Sequence, residues 1–198
     1  MATFSKTNGQ TLFALASTAA SSVSIGSAVD VSTKMGGLAF VRFGRRAAAA
    51  AGASANIRLE ASQSASADNS WFPFAVLATA FAACEAEAVS GTVSAGTNVI
   101  TVASTTNLTV GDIVYIDNTT IANSEWGRIK SIVANVSITL EDNLVNAQTG
   151  STIYDAAEIY TPLAIPSEAM RIRAVIDGAL FTQAFAAQVL YSTVDGIA

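Results

Sequence analysis

The stretch from 98 to 144 constrains the fold most, because it consists of short runs in which apolar and polar residues alternate. Alternation with a period of two is typical of half-buried β-strands and not of helices. Four such runs cover residues 99–102, 113–116, 125–133 and 136–140, with turn signals at Gly111-Asp112 before the second run and at Ala134-Asn135 before the fourth. Short strands at roughly ten-residue spacing predict a small antiparallel barrel or sandwich.

Alternating runs also lie on both sides of this stretch. Residues 56–62 and 170–176 share an alternation in which aliphatic side chains point one way and charged ones the other, so they are predicted to be neighbouring strands of one sheet. We therefore predict an all-β chain. A discontinuous β-sandwich or jelly-roll-like domain is expected from residues 21–86 and 158–198, with residues 87–157 inserted as a small β-barrel.

Pro73 adds a local constraint to the apolar run that begins at Trp71. Proline has no backbone N–H and cannot donate to a ladder of hydrogen bonds. The residue is therefore predicted to lie on an edge strand or at a bulge.

The first 20 residues carry Phe4, Leu12 and Phe13 among Ser, Thr and Ala, and an isolated segment would leave these side chains unburied. A frayed terminus is one alternative. Our prediction for residues 1–20 is an N-terminal arm that lies across a neighbouring subunit. Phe4, Leu12 and Phe13 are then candidate interaction residues. The segment has a weak resemblance to a signal peptide, but its apolar run is short and interrupted by polar residues.

The charge content argues against several partners. Charged residues make up only 13% of the chain, against about 25% in an average soluble protein, and surfaces poor in Lys and Glu suit packing against other proteins. A net charge of −5 argues against nucleic-acid binding. The one basic cluster, at Arg42, Arg45 and Arg46, lacks interleaved aromatic residues, and Arg45 and Arg46 remain candidate interaction residues. No stretch is apolar over the ~18 residues needed to span a bilayer.

Residues that carry chemistry are scarce. The chain has no histidine, which removes Ser–His and Cys–His nucleophile pairs and most zinc sites. Cys84 lies in an apolar, Ala-rich run, so a buried, inert thiol is expected. Asp112, Asp117, Glu141 and Asp142 lack the ligand pattern of an EF-hand calcium loop. We therefore predict no catalytic, cofactor-binding or metal-binding residues, and a protein that is not an enzyme.

Several pieces of the central run resemble a small β module that recurs in virion proteins of tailed phages: GTNVITVAS, LTVGDIVYID, EWGRIKSI, ITLEDNL and TIYD. The flanking SIGSAVDVSTKMGGLAFVRFGRR and NIRLEASQS resemble phage head or neck accessory proteins. The resemblance of the module covers about a third of the chain. It implies a structural role in a virion, without chemistry and without a cofactor.

Within that role we expect a capsid decoration (cement) protein on the head surface, bound to the major capsid protein or other virion proteins. A homo-oligomer is expected, with a trimer favoured, because closed symmetry leaves no growing edge. A neck, tail or adhesin-type component remains an alternative. Another is a carbohydrate-binding surface module, whose stacking faces would come from Trp71, Trp126, Tyr115 and Tyr154. Trp126 is therefore also a candidate interaction residue.

Overall fold

The computed structural model describes residues 4–18, 22–48, 52–66, 70–81, 83–178 and 184–197. The described part of the chain is all-β, as predicted. Its elements are β1 Phe4–Thr18, β2 Val23–Ile25, β3 Val29–Asp30, β4 Gly37–Arg45, β5 Gly52–Ser62, β6 Trp71–Phe81, β7 Ala86–Ala88, β8 Thr92–Val93, β9 Val99–Thr101, β10 Ile113–Asp117, the 3-10 turn η1 Ile121–Asn123, β11 Glu125–Val133, β12 Ser137–Leu140, β13 Gln148–Thr149, β14 Thr152–Tyr154, β15 Glu158–Ile159, β16 Leu163–Ile165, β17 Arg171–Asp177 and β18 Phe185–Ile197. The described residues contain no helix long and apolar enough to cross a membrane.

Two antiparallel sheets built from the chain's flanks form the sandwich. The first has the strand order β1-β18-β4-β15, with β16 also paired to β4, and the second has the order β2-β17-β5-β6, with β3 also paired to β17. The predicted neighbours are indeed adjacent, since β5 and β17 pair from Asn56 opposite Asp177 to Ser62 opposite Arg171. The prediction of a sandwich-like, all-β fold is therefore confirmed.

The inward faces of the two sheets supply one hydrophobic core. Phe43 and Phe185 stack with their ring centroids 5.1 Å apart on the first sheet, and Ile57, Leu59 and Ile172 face them from the second. None of these five side chains is measurably exposed. Burying a side chain of this size contributes about 1.5–3 kcal/mol, which makes the period-two pattern the main source of the sandwich's stability.

Strand β6 confirms the expectation for Pro73. The strand lies at the edge of the second sheet, and the pairing of β5 with β6 shifts register between Leu59 and Glu60, where Pro73 lies opposite Glu60. An edge strand with a bulge accepts proline because no ladder hydrogen bond is lost there.

The insertion forms a six-stranded sheet with the order β7-β14-β10-β11-β12-β9, curled into a half-barrel. The two edge strands, β7 and β9, approach each other where each one ends. Val89 bridges to Val102 there, and the Ser90 amide donates to the Thr101 carbonyl over 2.8 Å. A second pair, β8 with β13, flanks it. Its separate core contains Val114, Ile116, Ile129, Ile138 and Ile153 among others.

The chain enters and leaves this half-barrel through neighbouring elements. Strand β7 already pairs with β14, and β15 returns to the sandwich by placing Glu158 opposite Phe43 on β4. The predicted boundaries at 86/87 and 157/158 fall within β7 and immediately before β15.

The N-terminal segment differs from the predicted arm. Residues 4–18 form β1, which pairs along most of its length with β18 of the same chain. Leu12 is 4% exposed and belongs to the sandwich core, so the expectation that it is an unburied anchor is wrong. Phe13 is half-buried against the same core, and the side chain of Phe4 lies outside the described residues. Sequence reasoning failed here because the partner strand lies at the other end of the chain.

Candidate functional site

The surface where the half-barrel meets the sandwich is held by a tyrosine packed on a glycine. Tyr115 of β10 is fully buried, and a Cβ placed on Gly44 of β4 would lie 2.4 Å from its Cγ atom. Glycine is therefore the residue that lets the two backbones approach closely. Ala157 and Ala186 complete this small apolar cluster.

Trp126 fixes the same surface with a hydrogen bond. Its indole N–H donates to the Phe43 carbonyl over 2.9 Å, and its ring centroid lies 4.8 Å from that of Tyr115. The Arg42 guanidinium carbon lies 5.9 Å from the Trp126 ring centroid. Buried indoles usually find a partner for the N–H group, and here the partner belongs to the other sheet.

Of the two predicted interaction residues Arg45 and Arg46, Arg46 joins the half-barrel to the sandwich. Arg46 Nε lies 2.9 and 3.0 Å from the two carboxylate oxygens of Asp117 on β10. Arg45 is 1% exposed, and burial lowers the pKa of its guanidinium, opposed by the nearby Cys84 and Asp155. The expectation that Arg45 lies at an accessible surface is therefore wrong. Net charge and clustering do not reveal which arginines become buried.

A buried polar network orders the loop that follows β12. The Glu125 carboxylate accepts hydrogen bonds from the backbone amides of Val145 and Asn146 over 2.8 and 2.7 Å. Gln148, which is fully buried, donates to Glu125 Oε1 over 3.1 Å and to the Asn123 carbonyl over 2.9 Å. Buried polar groups of this kind are stabilising only when they are satisfied. The network therefore fixes the conformation of the loop backbone.

These contacts leave a cleft of about 540 Å³ between the two parts of the molecule, which we call the junction cleft. Its sandwich wall comes from β1, β4 and β18, and its barrel wall comes from η1, β11 and the loop after β12. The lining residues are Thr11, Ala14, Leu15, Arg42 and Gln188 on the first wall, and Ala122, Ser124, Glu125, Trp126, Asp142, Asn143, Val145 and Asn146 on the second.

The other candidate stacking faces lie outside the junction cleft. Tyr115 is fully buried, which excludes it as a stacking face, and burial raises the pKa of its phenol to about 12. Trp71 is half-buried, with the guanidinium carbons of Arg171 and Arg173 at 5.0 and 4.3 Å from its ring centroid. Tyr154 is half-buried and packs against the Tyr115 cluster. Trp126 is thus the candidate that reaches a cleft.

The groups that could carry chemistry are dispersed or buried. Cys84 is 1% exposed, and burial, followed by Asp155, raises the pKa of its thiol to about 12. Asp112 accepts a hydrogen bond from the Thr109 amide within a turn, whereas Asp117 pairs with Arg46. The part of the chain that the structure describes contains no group of three or more side chains able to hold a metal ion.

Sequence reasoning singled out Trp126 and missed Gly44, Glu125 and Gln148. A glycine within an otherwise alternating strand can mark a close backbone approach, and this signal was present in the FGRR segment that contains Gly44. Glu125 and Gln148 gave no comparable signal, because a buried polar network depends on positions that only the fold brings together.

No protein-family model and no curated protein matches this chain. The function therefore has to be inferred from the geometry and from the resemblance of the central module.

Proposed function

We propose that this chain is a non-enzymatic structural protein of a tailed-phage virion, and specifically a capsid decoration protein that binds the outer face of the head shell. The resemblance of the central module to virion parts supplies the context. The observation that carries the proposal is a row across the outer face of the second sheet that has an exposed aliphatic side chain at each end.

This outer row consists of Ile25, Val175, Arg58 and Val76, which lie directly opposite one another on β2, β17, β5 and β6. At the two ends of the row Ile25 is 62% exposed and Val76 is 56% exposed, whereas Val175 between them is 1% exposed. The next row adds Val23, which is 50% exposed. Exposed apolar patches on a sheet are typical of surfaces that bind another protein.

The charges in and beside the outer row are paired within the sheet. Arg58 lies 3.4 Å from a carboxylate oxygen of Glu60 and 3.4 Å from one of Asp177. Arg173 also binds Glu60, with Nη2 2.7 Å from Oε2. A patch whose charges are already paired loses less solvation energy on binding than one with free charges. The row is therefore suited to a largely dry contact with the major capsid protein.

The half-barrel sits on the other sheet of the sandwich, where Tyr115 packs on Gly44. A molecule bound to the shell through the outer row directs the half-barrel away from the contact surface. The proposed homo-oligomer, with a trimer favoured, multiplies the contact area without enlarging the chain. Light scattering of the purified protein measures this state, and a monomer at all concentrations contradicts the oligomer.

The decisive experiment measures the copy number and position of the protein in purified virions by quantitative mass spectrometry and electron cryomicroscopy. Hundreds of copies on the shell support a decoration protein. A single small ring at one vertex contradicts it and favours the neck, tail or adhesin alternative.

A matched pair of variants tests the contact surface in a capsid-binding assay. Val76→Asp places a charge in the outer row, and Val133→Asp places the same charge on the half-barrel at an equally exposed valine, since both are 56% exposed. We expect Val76→Asp to weaken capsid binding and Val133→Asp to leave it unchanged. Equal binding by both variants would remove the outer row from the proposal.

A further inference from the structure

We propose that the junction cleft binds a neutral saccharide, held between the sandwich wall and the barrel wall. This activity is separate from binding to the shell and does not rest on it, because the outer row and the junction cleft involve different sheets of the sandwich.

The sandwich wall presents side chains whose hydrogen-bonding groups are not used inside the protein, although the Arg42 guanidinium also lies 5.9 Å from the Trp126 ring centroid. Arg42 and Gln188 lie directly opposite each other on β4 and β18, and Thr11 lies beside them on β1. Within the described residues, none of the three side chains makes a hydrogen bond or ion pair. Arg46, Arg58, Arg128 and Arg173 are by contrast all in ion pairs.

The barrel wall also presents polar side chains to the cleft, opposite those of the sandwich wall. Asp142, Asn143 and Asn146 line it, and their side chains likewise make no hydrogen bond within the described residues. The loop itself is fixed, because the Glu125 carboxylate holds the backbone amides of Val145 and Asn146. A wall whose backbone is already ordered costs less conformational entropy when a ligand binds.

The combination of groups selects the ligand class. The Arg42 guanidinium can only donate hydrogen bonds and the Asp142 carboxylate can only accept them, whereas the amides of Gln188, Asn143 and Asn146 do both. A sugar hydroxyl donates and accepts at once, so a polyhydroxylated ring satisfies both walls. An anionic ligand such as a phosphate would meet the Asp142 carboxylate, and an ammonium ligand would meet the Arg42 guanidinium.

The remaining surface of the cleft suits the carbon face of a sugar ring. Leu15 on the sandwich wall and Trp126 on the barrel wall supply apolar area beside the polar groups. A volume of about 540 Å³ falls within the roughly 300–1,000 Å³ range of small-molecule sites. The cleft therefore accommodates one or a few sugar residues and leaves the rest of a longer glycan in solvent.

The test is a glycan array that carries neutral, acidic and amino-bearing glycans, followed by calorimetric titration of the best neutral oligosaccharide. We expect Arg42→Met and Asp142→Asn each to weaken binding at least about tenfold, because each removes hydrogen bonds to a charged group. Neither change removes an internal hydrogen bond or ion pair, and Arg42→Met gives up only the contact of the guanidinium with the Trp126 ring, so both variants should keep the wild-type circular dichroism spectrum.

Lys130→Met provides the matched control, since Lys130 is exposed on the same strand as Trp126 and does not line the cleft. Its affinity should equal that of the wild type. The proposal is overturned if the protein binds no neutral glycan on the array, or if it binds acidic glycans alone. Wild-type affinity in both Arg42→Met and Asp142→Asn overturns it as well. Capsid binding by Val76→Asp is measured in a separate assay. The proposal of shell binding and the proposal of saccharide binding can therefore fail independently.

Discussion

Replacing Gly44 with alanine should disrupt the seating of the half-barrel on the sandwich. The added Cβ would lie 2.4 Å from Tyr115 Cγ, 2.7 Å from its Cβ and 2.8 Å from its Cδ2, whereas ordinary contacts begin at 3.4 Å. The Tyr115 ring must therefore move by about 1 Å. It is fully buried on β10, so the movement has to involve the strand and not the side chain alone.

Two contributions determine how far Gly44→Ala lowers the free energy of unfolding. Overpacking in a well-packed interior costs about 1–3 kcal/mol. Displacement of β10 and its neighbour β11 also weakens the hydrogen bond from Trp126 to the Phe43 carbonyl, which contributes about 0.5–1.5 kcal/mol. We therefore expect Gly44→Ala to lower the free energy of unfolding by about 2–4 kcal/mol, a large share of the 5–15 kcal/mol typical of a domain.

Urea unfolding followed by circular dichroism measures this change. A second readout is the fluorescence of Trp126 in a Trp71→Phe background, where it is the remaining tryptophan. The emission should shift to longer wavelength in Gly44→Ala as the indole loses its partner. An unfolding free energy within 0.5 kcal/mol of the parent, with unchanged emission, would refute the packing of Tyr115 on Gly44.

Three further predictions concern single groups. The Asp195 pKa is lowered from 3.8 to about 2 by hydrogen bonds from Thr7, Lys34 and Thr193. The ionised carboxylate therefore stabilises the fold above pH 4, and this stabilisation is lost as the pH falls towards 2. In acid titrations the stability difference between wild type and Asp195→Asn should shrink over that range, and a constant difference contradicts the assignment. Cys84, with a pKa raised to about 12, should not react with a thiol reagent at pH 8 until the protein is unfolded, and rapid labelling of the native state would contradict its burial. Glu60→Gln should cost about 1–3 kcal/mol in urea unfolding, because Arg173 loses its carboxylate partner at 2.7 Å, whereas Glu87→Gln, which breaks no described ion pair, should cost little.

The strands were predictable wherever the alternation stayed regular. The run predicted from Glu125 to Val133 is β11 itself, and the pairing of β5 with β17 followed from their shared pattern. Pro73 was predictable for a local reason, because the missing N–H restricts it wherever it occurs. In each case the information lay within a few residues of the element.

The errors occurred where distant residues decide the outcome. The pairing of β1 with β18 shifts register four times, at positions that include the stretch between Thr7 and Gln10, and each bulge interrupts the alternation that marks a strand. Arg45 looked like a surface charge because nothing near it in sequence indicates that it lies opposite the core residue Phe185 and is buried. Leu12 looked unburied because the strand that pairs with β1 comes at the end of the chain.

Deleting β1 distinguishes a separate arm from a strand that belongs to the sandwich. Deletion of an arm would leave the sandwich intact, whereas deletion of residues 2–20 removes a strand paired along β18 and exposes the core that Leu12 covers. We therefore expect the deletion to lower the melting temperature sharply or to abolish cooperative unfolding. Leu12→Ala isolates the packing contribution and should cost about 2–5 kcal/mol, as for other buried leucines.

Thr11→Ala is the matched control for that substitution, because Thr11 is the preceding residue on the same strand and is exposed. Its free energy of unfolding should stay within about 0.5 kcal/mol of the wild type. Calorimetry and urea unfolding of the three proteins measure these differences. A deletion protein that melts at the wild-type temperature would restore the arm, since only a segment that contributes nothing to the sandwich can be removed without loss of stability.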